Sequence, residues 1–186
     1  MKSEIRIIGF DDCPFDKFND KEVKIIGTIF RGGKSLDGVV STIIAIDGID
    51  ATEKLSSLIQ TTKFRPQLQA ILLDGITMGG FNVIDIHVLA KTTNLPVIVV
   101  MRNLPDFQKI KNALTKLEMN DRFALMEKAG IPIKHNNIYF QCAAISKDEA
   151  KAILSLTTIH ADIPEPIRIA HLIAAGITKG ESSGDA

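Results

Sequence analysis

Three apolar runs stand close together at the start of the chain, joined by stretches too short to hold a crossover helix, and this spacing restricts the fold more than any other feature. Residues 5–11 carry Ile5, Ile7, Ile8 and Phe10 and leave little polar surface on either face, the pattern of a buried strand. The stretch from Cys13-Pro14 to Asn19-Asp20 breaks it. Residues 23–30 form a second, β-branched run, Arg31-Gly32-Gly33 through Asp37-Gly38 supplies turn chemistry, and residues 39–46 return as a third. Strands joined this closely are antiparallel neighbours, so the first and third point the same way.

Beyond residue 50 the periodicity changes. Residues 51–62 place apolar side chains at 51, 55, 58 and 59, one face of a helix that Pro66 ends. Residues 70–73 read as a short strand closed by Asp74-Gly75, 81–92 as a helix, 96–101 as a buried strand and 105–117 as an amphipathic helix. Strand and helix alternate from there, which predicts parallel strands with right-handed crossovers. Residues 120–129 follow as a short helix, 137–145 as a last strand, and 147–156 and 165–177 as closing helices. A three-strand antiparallel meander, a helix, then strand-helix-strand-helix is the element order of the ribonuclease H fold: an α/β mixed sheet flanked by helices.

At 186 residues, 45% of them hydrophobic and 24% charged, the chain is long enough for one core and short for two, so a single domain is expected over 1–178 with a polar tail at 179–186. Lys plus Arg and Asp plus Glu both number 22, which argues against a sequence-blind nucleic-acid binder held by net charge. A local basic groove remains open, with Lys63, Arg65 and Arg102 as candidates. Cys13 and Cys142 form no CxxC pair, and the four histidines show no zinc-binding spacing. Residues 1–12 have neither the charge pattern of a signal peptide nor the length of a membrane span, so a cytoplasmic protein is expected.

The element order brings acidic residues to one sheet edge. Asp11 ends the first strand, Asp47 the third and Asp74 the fourth, while Asp50 and Glu53 open the helix after the third. Crowded carboxylates raise each other's pKa values unless a cation sits among them, and Mg²⁺ or Mn²⁺ is the natural occupant. Asp11, Glu53 and Asp74 are the candidate catalytic triad, and Asp50 joins them as a candidate metal ligand. Each has a plainer alternative. Asp50-Ala51-Thr52-Glu53 also fits a helix capping box, and Asp47-Gly48 and Asp74-Gly75 also fit tight turns, the turn being the preferred reading for Asp47. Asp12 alternates to the opposite strand face and is expected in solvent or in a turn. The glycine-rich stretch 75–80 lacks the lysine of a phosphate-binding P-loop.

Ile8-Gly9-Phe10-Asp11-Asp12, Asp47-Gly48-Ile49-Asp50-Ala51-Thr52-Glu53, Leu72-Leu73-Asp74-Gly75-Ile76-Thr77 and Pro96-Val97-Ile98-Val99-Val100-Met101-Arg102 together resemble the archaeal endonuclease dU family, itself distantly similar to endonuclease V. Pro164-Glu165-Pro166-Ile167-Arg168 is similar to a late proline-and-arginine motif of endonuclease V. The resemblance implies a Mg²⁺- or Mn²⁺-dependent endonuclease of DNA repair whose partner is DNA, deaminated or single-stranded, with Asp11, Glu53 and Asp74 on the metal and Arg102 near the position of a functional lysine. The histidine and HPR segment after the VDG of endonuclease V are replaced by Ile76-Thr77-Met78-Gly79-Gly80. Its PYIPG wedge has no counterpart, Thr52 stands where an arginine precedes its glutamate, and its late glycine-histidine motif finds no histidine in Cys142-Ala143-Ala144-Ile145. Two alternatives follow from these departures: a nucleic-acid or nucleotide-binding module that keeps the fold without cleavage, and a small-molecule enzyme using the loop at 75–80.

Overall fold

The computed structural model describes residues 4–182. Its seven-stranded sheet begins with the expected meander: β1 (Arg6–Asp12), β2 (Glu22–Arg31) and β3 (Ser35–Ala45) pair antiparallel in sequence. After α1 (Ala51–Thr61) and a 3₁₀ turn (Arg65–Gln67), β4 (Leu68–Asp74) returns beside β1 and parallel to it. A small antiparallel ribbon of β5 (Thr77–Met78) and β6 (Asn82–Val83) precedes α2 (Ile86–Thr93). The helix expected from residue 81 starts at Ile86 because Asp85 caps it, accepting from the backbone N–H groups of His87 and Val88, both at 3.0 Å. β7 (Val97–Met101) then runs parallel to β4.

The remaining strands depart from the parallel expectation. From β7 the chain passes through α3 (Phe107–Lys116) and α4 (Asn120–Lys128), turns at β8 (Ile133–His135), and re-enters the sheet as β9 (Ile138–Ala143), antiparallel to both β7 and β8. After the two helices the chain returns level with the carboxyl end of β7 as the short β8, which has the direction of β7, and the β8–β9 hairpin then turns it back so that β9 runs antiparallel. α5 (Lys147–Thr157), opened by a capping box of Ser146 and Glu149, and α6 (Glu165–Lys179) close the fold. The strand order is β3-β2-β1-β4-β7-β9-β8. The tail expected at 179–186 begins inside α6, and residues 183–186 lie outside the described residues.

The two sheet faces bury different helices. Ile8, Phe10, Ile71, Leu73, Val97 and Val99 pack under Leu55 and Ile59 of α1 and Leu89 of α2. Ile7, Leu72, Ile98 and Val100, which alternate with them, pack under Ile153 and Leu154 of α5 and Ile167 of α6. α6 lies directly on β1 because Gly9 leaves room for it: a β-carbon there would come within 2.5 Å of Pro166 Cβ. Thr28 Oγ1 fixes the same contact by donating to the Pro166 carbonyl at 2.5 Å.

Candidate metal centre and its cleft

Asp11 and Asp74 become neighbours through strand register. The β1–β4 pairing ends at Phe10 and Leu73, so the next residue of each strand is an aspartate. Side chains alternate along a strand, so Asp11 shares the face of Gly9, which is the face under α6. That helix supplies a third group: His171 Nδ1 lies 2.8 Å from Asp11 Oδ2. One donor atom each from Asp11, Asp74 and His171 fall within 4.8 Å of one another. Arg102, just past β7, points its Nη1 at both Asp74 oxygens at 3.3 Å. Together with Cys13 and Lys179 these residues line an open cleft of about 620 Å³.

Asp11 is 6% exposed. Its Oδ1 accepts from the backbone N–H of Asp12 at 2.8 Å while Oδ2 meets His171. Burial, followed by the negative charges of Asp74 and then Asp12, pushes its carboxyl up to about 7, and the bond to His171 offsets part of that rise. Two crowded carboxylates with one half-exposed guanidinium beside them are short of positive charge. The donor set, two carboxylates and an imidazole, fits a divalent ion of the Mg²⁺ or Mn²⁺ class, Mn²⁺ accepting nitrogen the more readily.

The structure does not bring Glu53 or Asp50 into this group. α1 packs on the other sheet face, where Glu53 is exposed beside Ile49, Thr52 and Val88. Asp50 turns back to the end of β3, accepting from the backbone N–H of Ala45 at 3.2 Å and from Asn82 Nδ2 at 2.7 Å. Nor is it a cap: its backbone is helical rather than extended, and Asn82 Oδ1 takes the Ala51 N–H instead, at 3.1 Å. Lys63 and Arg65 lie where the chain enters β4, roughly 20 Å along the strand from Asp74. There Lys63 stacks over Phe64 and Arg65 donates to the Thr93 carbonyl.

The neighbouring acids have structural work. Asp12 is half-buried rather than solvated and holds the Gly79 N–H at 2.6 Å; burial is the main cause of its raised pKa. Asp47 sits in a turn with φ of 51°, and its Oδ1 accepts from the Phe81 N–H at 2.7 Å. The N–H groups of Gly75, Gly79 and Phe81 are taken by the Val100 carbonyl, Asp12 and Asp47, so these three are not free to cradle an anion. Burial also pushes the Cys13 thiol up, away from nucleophilic use.

His171 is the member of the group that sequence reasoning did not place there. It stands 160 residues from Asp11 in the chain, well beyond residues 142–145, where the resemblance to endonuclease V points for a histidine. The available signal was faint: a histidine beside the small-residue face of α6, where Ala170 and Ala174 are buried.

The endonuclease dU family model matches residues 3–178. A UPF0215 protein of Methanothermobacter thermautotrophicus is 46% identical over 192 residues, covering all of this chain and 94% of its own. A protein of unknown function from Archaeoglobus fulgidus superposes with a TM-score of 0.87 at 39% identity, over 94% of this chain and 98% of that one. Endonuclease V of Ciona intestinalis, solved with DNA containing an inosine followed by a ribo-adenosine, gives a TM-score of 0.64 at 15% identity over 95% and 87% of the two chains, a likeness of fold. That likeness and the strand order make the sheet ribonuclease H-like. Among the described residues no helix is long and apolar enough to cross a membrane. With the match running from residue 3 to residue 178 and a relative aligned along nearly its whole length, the chain belongs to the endonuclease dU family.

Proposed function

We propose that this protein is a divalent-metal-dependent endonuclease that cleaves DNA at deaminated bases, deoxyuridine above all. The observation that carries the reading is the convergence of Asp11, Asp74 and His171 at an open sheet edge beside Arg102, in a family named for endonuclease activity on deoxyuridine. A fold kept for binding alone has no need of two carboxylates and an imidazole packed this closely. His171 supplies one histidine to the cleft, which weighs against that alternative.

Asp11, Asp74 and His171 would hold the ion, Mg²⁺ or Mn²⁺. When bound, such an ion supplies a more acidic water and positive charge on the phosphate oxygens. Asp11, with its carboxyl pushed up to about 7, would be held deprotonated by a bound ion, so ion uptake would be linked to proton release. Arg102 is half-exposed and already leans toward the cleft on Asp74, within reach of a phosphate, where a guanidinium binds oxygen pairs in a bidentate fashion. Lys179 at the other wall adds a second cation for the backbone.

The test is cleavage of oligonucleotides carrying one deoxyuridine or deoxyinosine, with Mg²⁺ and with Mn²⁺, by wild type and Asp74→Asn. Cleavage by wild type alone is expected. Equal cleavage by both would mean a contaminant or another centre, and binding without cleavage in either metal would restore the binding-module reading.

A further inference from the structure

The two edges of the sheet are finished differently. β8 ends one edge with three residues, while β3 ends the other with eleven. A long edge strand is a template for another strand unless charge, proline or a covering segment blunts it. From Gly38 to Ala45 the sequence is Gly-Val-Val-Ser-Thr-Ile-Ile-Ala, with no charged residue and no proline. Val39 and Ile43, on one face of the strand, are 46% and 49% exposed.

The ladder to β2 decides which backbone groups stay open along this edge. The Ile46 N–H donates to the Lys21 carbonyl at 2.9 Å, so from Gly38 onward the even-numbered residues turn their N–H and C=O toward β2 and the odd-numbered ones turn theirs away. Ala45 is already closed: its N–H reaches Asp50 at 3.2 Å, and its carbonyl accepts from Asn82 Nδ2 at 2.9 Å. At the other end Asp37 is the extra residue of a bulge, its carboxylate held by Arg6 at 2.9 Å and by Arg31 at 3.3 Å. Between these ends stand Val39, Ser41 and Ile43, whose outward N–H and C=O groups have no partner among the described residues.

We propose that the protein forms a two-fold dimer in which β3 pairs antiparallel with β3 of a second copy about Ser41, joining the two sheets into one. In that register Ser41 faces its own copy and Val39 faces Ile43 of the second copy, and each facing pair exchanges both N–H···O bonds. The exposed apolar side chains cover each other twice, as a self-complementary two-fold contact requires. On the opposite face Val40 meets Thr42 and Gly38 meets Ile44, so no charge meets a like charge. Neighbouring registers fail. Centring on Val40 sets Ile43 against Asp37 of the bulge, and centring on Thr42 sets Val39 against Ala45, whose groups are taken. This symmetry of the open groups about one residue selects a second copy over an unrelated strand. β3 lies two strands from β1, which sets the joint off from Asp11 and its cleft.

The test is sedimentation equilibrium of the full chain at concentrations up to about 1 mM. Wild type should reach twice the mass of the chain. Val39→Lys with Ile43→Lys sets lysine against lysine at both apolar pairs and should weaken the dimer by about tenfold or more, whereas Val39→Glu with Ile43→Lys sets opposite charges there and should recover it. Within one chain the two positions lie about 13 Å apart, so the difference between these variants reports the contact between copies. Ser41→Cys puts two thiols on facing residues with Cα atoms about 5.5 Å apart, and mild oxidation should link two chains. Val39→Cys, about 13 Å from its own copy, should not link. Wild type, with Cys13 and Cys142, is the control, and circular dichroism reports that each variant keeps the fold. Single-chain mass in wild type throughout overturns the proposal and leaves the edge to a strand of another protein. A dimer indifferent to the lysine pair, or a link at residue 39 as ready as at residue 41, overturns it by placing the interface elsewhere or in another register.

Discussion

Asp11 carries opposing demands, since the burial that makes it a good ligand makes it a poor free carboxylate. Its folded pKa of about 7 stands above the ordinary 3.8. Below pH 3.8 the proton is held in both folded and unfolded chains and the contribution to stability is complete. Between 3.8 and 7 the unfolded chain releases the proton first, so stability falls as pH rises, by up to about 1.4 kcal/mol per pH unit from this group. In EDTA, Asp11→Asn should therefore melt several degrees above wild type at pH 8 and with it at pH 4, as circular dichroism would read. Saturating Mn²⁺ should reverse the order at pH 8. A wild type that outlasts Asp11→Asn at pH 8 without metal would show that the buried charge is compensated some other way. The remaining candidates separate by placement. His171→Ala should lower cleavage by about 10- to 100-fold, while Glu53→Gln, on the far face, should leave it unchanged. Arg102→Ala should weaken DNA binding and lower the salt slope by about one. Loss of cleavage in Glu53→Gln would require α1 to rearrange when DNA binds.

The centre depends on how one helix sits on one strand. α6 reaches β1 only because residue 9 is glycine, and Pro166 occupies the space a side chain would need. Gly9→Ala should force the helix outward, destabilise the protein by about 1–3 kcal/mol, and carry His171 away from Asp11. Denaturant unfolding gives the first effect. The second should appear as a smaller metal-dependent rise in melting temperature than wild type shows, and an unchanged rise would mean that His171 does not hold the ion. The same dependence explains why the glutamate was misplaced by sequence. Helical periodicity located α1 to within a residue at either end, yet periodicity along a helix is silent about which sheet face the helix covers. Strand alternation put Asp11 and Asp74 under α6, and the crossover from β3 to β4 put α1 on the other side.

At the scale of the whole molecule, an ion that binds the folded cluster and not the dispersed carboxylates should stabilise the protein by roughly 2.7 kcal/mol at 100 times its dissociation constant. Asp74→Asn should lose most of that gain in a thermal melt with Mg²⁺ or Mn²⁺, and a melting temperature indifferent to metal would count against the centre. The amino-acid order by itself determined the antiparallel meander, the common direction of β1 and β4, and the meeting of Asp11 and Asp74 at one sheet edge, because β-branched runs with short turns admit few pairings and residues at strand ends inherit their position from the strand direction. Only the tertiary structure decided that β9 runs antiparallel, that Lys63 and Arg65 lie at the far end of β4, that Asp50 and Glu53 stand apart from the centre, and that His171 joins it. Those outcomes turn on how helices pack across a sheet, and such contacts join residues as distant as Asp11 and His171 through the fit of Gly9 to Pro166, a match of shape with no periodic trace in the sequence.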